Sequence, residues 1–346
     1  MKHLRLWAVA AGIAYAAGLW GFCISDAFSA GPSAEMGGQV LGLGPRAMAL
    51  HQVWLLGARA AVALKAASPE VTLNALSALF AGAALCGLLV VFHRLLACAM
   101  SRVDVTSLFL DGDDADAPQP GAASAHAVVG LLAEEFSRGE RTALLLGTIG
   151  AGWVFAFSAP LWVTATRAGP NAFDILLVLL AVWMTSSFCL RPTLWSACAA
   201  SAVTGIGLAE TPLFLAVTCA LAVFFLRAVL RNDLSFQRYF VAAVSSACLG
   251  FALQLGLASL LLREAVGGAV PLSRVVRAMA DGHLRALAGV AVSPYWMWTL
   301  LWGGIPFIIA LSLSLSNQSE IRLNTVVCIG LGTVALVHQP GQVLEQ

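Results

Sequence analysis

From Val71 to Phe92 the chain carries no charged side chain, and runs of this kind recur along most of its length. A stretch of about 20 apolar residues matches the hydrocarbon thickness of a bilayer when it is helical. In that solvent the backbone must satisfy its own hydrogen bonds, so the helix is the local structure such runs allow. Composition agrees, with 60% of residues hydrophobic and only 11% charged. Soluble domains carry roughly 25% charged residues, and this chain lacks the polar surface to cover a globule. The pattern predicts an all-α, polytopic helical membrane protein forming a single transmembrane domain over residues 1–346.

Nine spans are predicted, at 6–24, 71–92, 142–165, 172–190, 193–209, 212–230, 239–262, 295–315 and 323–338. Lys2, Arg5 and the following "SDA" at 25–27 mimic a cleaved signal, but the first apolar run is long for that, and it is read as a span. With the N-terminus inside, eleven of the 19 Lys and Arg residues fall on inner loops and eight on outer ones. That excess sets the orientation.

Three segments lie outside the spans. Residues 25–70 form a first outer loop with an interfacial helix after the first span, and 263–294 a second outer loop with its own interfacial helix. In the second, Arg274, Arg277 and Asp281 fall on one helical face, with Leu272, Val276, Met279 and Leu287 opposite. Residues 94–141 form a cytoplasmic loop containing "DGDDADAPQPGAASA". Calcium-loop spacing fails there, since glycine stands second and the twelfth position from Asp111 is Ala122, so the segment reads as a solvated linker. The stretch 126–141 after it reads as an amphipathic surface helix.

Several function classes are excluded. No phosphate-binding G-x-x-x-x-G-K-[ST], no G-x-S-x-G and no H-E-x-x-H is present. A net charge of +1 without basic clusters gives no nucleic-acid footprint. The eight cysteines lie mostly inside apolar runs without a C-x-x-C pair, which fits buried thiols and no zinc site.

The first outer loop nevertheless holds a carboxylate, Glu35, among glycines and a proline. Together with "EVTLNALSALFAGAALCGLLVVF" (70–92), "SAPLWVTATRAGPNAFDILLVLLAVW" (158–183) and "GIGLAETPLFLAV" (205–217), it resembles the GT-C superfamily of membrane glycosyltransferases. The nearest group is the bacterial one of unassigned function related to protein O-mannosyltransferases. The resemblance covers roughly the first 230 residues. In that group the first outer loop commonly reads Asp-Ser-Gly-Glu-Phe, where this chain has Pro32, Ser33, Ala34, Glu35 and Met36. The glutamate matches, and the aspartate is replaced by Pro32. A later Glu-Val-Tyr corresponds to Gly169, Pro170 and Asn171, and an Asn-His to Glu210 and Thr211.

The resemblance implies transfer of a sugar from a polyprenyl-phosphate donor to an acceptor, in cell-envelope protein glycosylation, by a protein of the bacterial inner (cytoplasmic) membrane with its active face outward. Such transfer needs a base for the acceptor hydroxyl and cations for the departing phosphate. Glu35 is the expected base, because a carboxylate beside apolar surface has its pKa pushed toward the useful range. Arg274 and Arg277, with His283 or Arg285 nearby, suit the lipid phosphate, and His51 and Arg167 are further substrate-binding candidates. A divalent metal is compatible with this chemistry, and the sequence does not require one. The expected partners are the polyprenyl-phosphate-linked sugar and membrane lipids, with no nucleic acid.

The plainer readings are a solvated Glu35, arginines that snorkel to headgroups, His51 as an interfacial polar contact, Asp174 paired with Arg167, and Gln254 as an interhelical hydrogen bond. They belong to an alternative: a catalytically degenerate GT-C-fold subunit that binds lipid or assembles with a membrane protein partner. Pro32 and Gly169 in place of acids favour it, as does a tail of only 339–346 where many members carry a soluble outer domain. A transporter is a third option, disfavoured because the charges sit near span ends and no inverted repeat of broken helices is evident.

Overall fold

The computed structural model describes residues 2–23, 26–27, 32–42, 50–100, 136, 138–232, 234–266, 268 and 270–292. Among them the chain forms eleven helices and no strand. These are α1 (Lys2–Cys23), α2 (Pro32–Val40), α3 (Gln52–Ala63), α4 (Pro69–Met100), α5 (Arg138–Ala156) and α6 (Ala159–Thr166). They continue as α7 (Asn171–Leu190), α8 (Leu194–Glu210), α9 (Leu213–Arg231), α10 (Phe236–Val266) and α11 (Leu272–Val292).

Among the described residues, four stretches are long and apolar enough to cross a membrane: 6–23, 69–97, 171–190 and 236–263. Val217–Leu230 in α9 is a shorter apolar segment. Large side chains such as Trp7, Ile13 and Phe22 on α1, Trp153 and Val154 on α5, and Leu249 and Leu253 on α10 are exposed. So large an uncovered apolar surface is what a bilayer covers in an integral membrane protein.

Several expected boundaries move. The single span expected over 142–165 is two helices, because Pro160 lacks the N–H that would bond the carbonyl of Ala156. Accordingly α5 ends at Ala156 and Ser158 is extended, with φ −65° and ψ 133°. The loop expected from residue 94 starts later, since α4 continues to Met100. The outer segment 25–70 holds two helices rather than one, α2 and α3. The spans expected at 295–315 and 323–338 lie outside the described residues, as do 101–135 of the expected linker and most of the surface helix at 126–141.

Local sequence sets the other breaks. Thr193 begins α8 with a reciprocal cap, its hydroxyl accepting from the Ser196 N–H at 3.2 Å while Ser196 Oγ accepts from the Thr193 N–H at 3.2 Å. Pro170 and Pro212 stand at the starts of α7 and α9, where a missing N–H and a fixed φ do no harm.

Glycine sets the closest packing. A Cβ on Gly12 would stand 2.5 Å from the carbonyl oxygen of Gly82, and one on Gly82 the same distance from that of Gly12, so α1 and α4 meet backbone to backbone. A Cβ on Gly205 would collide with the carbonyl of Ala247, and one on Gly250 with that of Ala202, so α8 and α10 meet in the same way. Small residues at such crossings let dispersion act where no water drives helices together. Helix α4 is the hub, touching α1, α3, α5, α6 and α7. Its buried Arg94 donates to Ser187 Oγ at 2.8 Å and to the Ser186 carbonyl at 3.4 Å, tying it to the end of α7.

The opposite end of the bundle gathers the connections. The Asn74 amide donates to the Ala27 carbonyl at 3.3 Å, and Ser77 Oγ donates to the Gly169 carbonyl at 3.3 Å. The His51 N–H donates to the Glu210 carbonyl at 2.9 Å. Helix α11 closes this end, with Val275 and Met279 buried against Leu50, Ala209 and Ala258.

Candidate functional site

Helix α3 begins without help from its own sequence. Its N-cap, His51, makes no side-chain cap, which would leave the first N–H groups orphaned in a buried place. Glu210, the last residue of α8, supplies the missing acceptor. Its Oε2 takes the Val53 N–H at 3.1 Å and its Oε1 the Trp54 N–H at 3.0 Å. The Gln254 amide of α10 donates to Oε2 as well. Glu210 and Gln254 are both buried, so one carboxylate joins α3, α8 and α10 where water does not compete. A negative group at a helix N-terminus also opposes the helix dipole favourably.

This arrangement fixes His51. The N–H bond to the Glu210 carbonyl holds it at φ 60° and ψ 34°, the left-handed region that side-chain-bearing residues seldom occupy. Strain of this kind persists only where the surroundings impose it, and it concentrates at functional positions. The imidazole Nδ1 lies 3.4 Å from Oδ1 of Asp174, in the first turn of α7. This is an ion-pair distance whose geometry falls short of a hydrogen bond, and both atoms are otherwise buried without a hydrogen-bond partner. Burial lowers the pKa of His51, but the charge of Asp174 and then that of Glu210 outweigh it and hold the imidazole above its ordinary 6.5. His283 of α11 stands beside the Leu208 carbonyl, and burial pushes its pKa down.

A pH dependence follows. A histidine whose folded pKa is raised stabilises the protein fully below its unfolded value, about 6.5, and loses that contribution as pH rises through the folded value. The melting temperature in detergent is therefore expected to fall as pH is taken from about 6 upward through that value. In Asp174→Asn the slope should flatten. An unchanged slope would mean that His51 does not titrate against Asp174.

The candidates named from sequence separate here. His51 is in the node. Arg167 is half-buried in the turn before α7, the helix that carries Asp174. Asp174 itself takes His51, not Arg167, as its ion-pair partner. Glu35 lies in the first turn of α2 with its side chain exposed, where a helix N-terminus already favours a negative charge. Arg274 and Arg277 are exposed on α11. Of the apolar residues of that helix, Val275 and Met279 are buried while Leu272 and Val276 are 56% and 44% exposed. Reading single positions missed Asp174 and Glu210 as partners of His51. The usable signal was that both are carboxylates at the ends of apolar helices, where an ionisable residue is a functional candidate by default. Among the described residues, no group of three or more His, Cys, Asp or Glu side chains could hold a metal ion.

The described residues and the site together define a helical bundle of membrane type with a histidine–carboxylate node at one end. No family model matches the chain, and comparison with curated proteins and with solved structures gives no match.

Proposed function

We propose that the protein is a membrane-embedded transferase of GT-C type, moving a sugar from a polyprenyl-phosphate donor to an acceptor hydroxyl at the end of the bundle that holds the node. One observation carries the reading: a histidine in a strained backbone conformation turns a buried ring nitrogen to a buried aspartate at 3.4 Å. An aspartate beside imidazole stabilises the imidazolium that forms when the ring takes a proton. In the transfer step the acceptor oxygen bonds to the anomeric carbon and the bond from that carbon to the phosphate oxygen breaks. The electron pair stays on the phosphate, and the hydroxyl proton passes to His51. Arg167 is the cation assigned to the phosphate, being the arginine nearest in sequence to Asp174. In this reading the base is His51 supported by Asp174, in place of Glu35. The nine-span, N-inside topology with an outward active face belongs to the same proposal.

The test is transfer from a polyprenyl-phosphate sugar in proteoliposomes. His51→Ala and Asp174→Asn are each expected to lower the rate by about a hundredfold or more, the usual size of a general-base contribution. Glu35→Gln should retain most of it. Loss of transfer in Glu35→Gln with full transfer in Asp174→Asn would return the base to the exposed acid of α2.

A second reading has its own support. Glu210 spends both carboxylate oxygens on Val53, Trp54 and Gln254, as a latch between helices would, and Pro32 and Gly169 stand where related chains keep acids. It makes the protein a subunit that keeps the fold without the chemistry and assembles with a membrane partner. In that case no polyprenyl-phosphate sugar co-purifies, and the node variants change stability alone.

A further inference from the structure

Helix α11 presents three sectors rather than two. Its core sector carries Val275 and Met279, both almost fully buried against Leu50 and the ends of α8 and α10. At about 100° per residue, Arg274, Arg277, Asp281 and Arg285 fall within a stripe about 80° wide on another side, all exposed. Between the two lies an apolar sector that faces outward, with Leu272 56%, Val276 44% and Leu284 63% exposed. A soluble surface helix has no use for that middle sector. Nor are the arginines placed to serve the node, because they project away from the face that meets Leu50. None of the three is at ion-pair distance from a carboxylate among the described residues. Asp281 offsets one of their charges, leaving a net positive stripe beside an apolar one.

We propose that this outward side of α11 is a docking surface for anionic phospholipid, the acyl chains lying against Leu272, Val276 and Leu284 and the headgroup phosphate against Arg274, Arg277 and Arg285. The order of the sectors matches the order of a membrane boundary, hydrocarbon next to phosphate. A helix built in this way lies in the interface plane, pinned to the bundle along its third side. Charge complementarity selects the lipid, since a guanidinium binds phosphate oxygens through paired N–H groups and an excess of arginine favours headgroups with net negative charge. The inference does not depend on the transferase reading.

The experiment uses the full chain in nanodiscs of phosphatidylglycerol or phosphatidylcholine, with native mass spectrometry of retained lipid and thermal melting in each. The wild type is expected to retain phosphatidylglycerol preferentially and to melt higher in it. The preference should weaken as salt is raised. An arginine at a membrane surface contributes about fivefold to anionic-lipid affinity, so the triple variant Arg274→Gln, Arg277→Gln, Arg285→Gln should weaken the preference by about a hundredfold. Its melting in phosphatidylcholine should match the wild type, which shows that the bundle still folds. If the triple variant does not fold, Arg277→Gln alone is expected to weaken the preference about fivefold and Asp281→Asn to strengthen it. No preference in the wild type, or one untouched by these changes, overturns the proposal. Retention of a polyprenyl phosphate in place of phosphatidylglycerol, lost with the arginines, overturns it too and makes the stripe a donor site.

Discussion

Gly205→Leu is expected to abolish the folded bundle. The hydrogen of Gly205 faces the carbonyl of Ala247, and the reciprocal position, Gly250, faces that of Ala202. A side chain at either place meets backbone, which has no rotamer to change and can yield only if α8 and α10 separate. Overpacking a core with side chains free to shift costs about 1–3 kcal/mol, and a collision with backbone in two long helices lies above that range. The loss would spread beyond the crossing, because α8 also carries Glu210 and α10 carries Gln254. Purification in mild detergent, followed by size exclusion and thermal melting, checks it. Gly205→Leu should yield aggregate or a melting temperature far below wild type. Gly256→Ala is the control, since a Cβ there meets nothing within 4 Å. That change should be neutral or stabilise by up to about 1 kcal/mol through helix propensity. A monodisperse Gly205→Leu protein with near-native melting would mean that the two helices do not cross as described.

Glu210→Ala has the second largest expected effect and acts by a different route. It truncates a fully buried side chain and strands the Val53 and Trp54 N–H groups and the Gln254 amide in a buried site. Each buried donor left without an acceptor costs about 1–3 kcal/mol, so three together are worth several. The damage should concentrate at the start of α3. Hydrogen exchange at Val53 and Trp54 is expected to change from protected to fast, while amides in the middle of α4 stay slow. Gln254→Leu removes one donor and leaves the carboxylate its two backbone partners, so its effect should be the smaller. Equal protection of Val53 and Trp54 in Glu210→Ala and wild type would show that another group caps α3. Glu210→Ala keeps the backbone carbonyl that accepts from the His51 N–H, but it removes a charge that raises the His51 pKa, so that pKa should fall.

How much of this was legible beforehand differs from element to element. The apolar run from Val71 to Phe92 named α4 as a helix by itself, and Pro170 and Pro212 marked the starts of α7 and α9. Pro160 carries an equally plain signal, yet the apolar length around it predicts one helix over 142–165 where two form. On α11 the periodicity gave the helix but not its orientation. Leu272, Val276 and Met279 make as good an apolar stripe on paper as Val275 and Met279. A soluble protein would have hidden the former, and a bilayer boundary removes that constraint by making exposed leucine harmless.

The node shows the limit most clearly. His51, Asp174, Glu210 and Gln254 stand far apart along the chain, and each has a plain reading when taken alone. Glu35 stands out in the sequence because its neighbours are glycines and a proline, yet neighbours in sequence say little about burial. What the sequence determined by itself was the solvent and hence the secondary structure. Apolar length and scarce charge admit only helices, and proline and glycine decide where those helices stop. What the tertiary structure alone decided was which polar groups share a place. In a bundle whose faces are nearly uniform in hydrophobicity, helix pairing depends on where backbones can approach, and that is set by glycine meeting glycine or alanine across a gap no local pattern records. Once α8 and α10 cross at Gly205 and Gly250, Glu210 can reach the start of α3, and His51 comes to face Asp174.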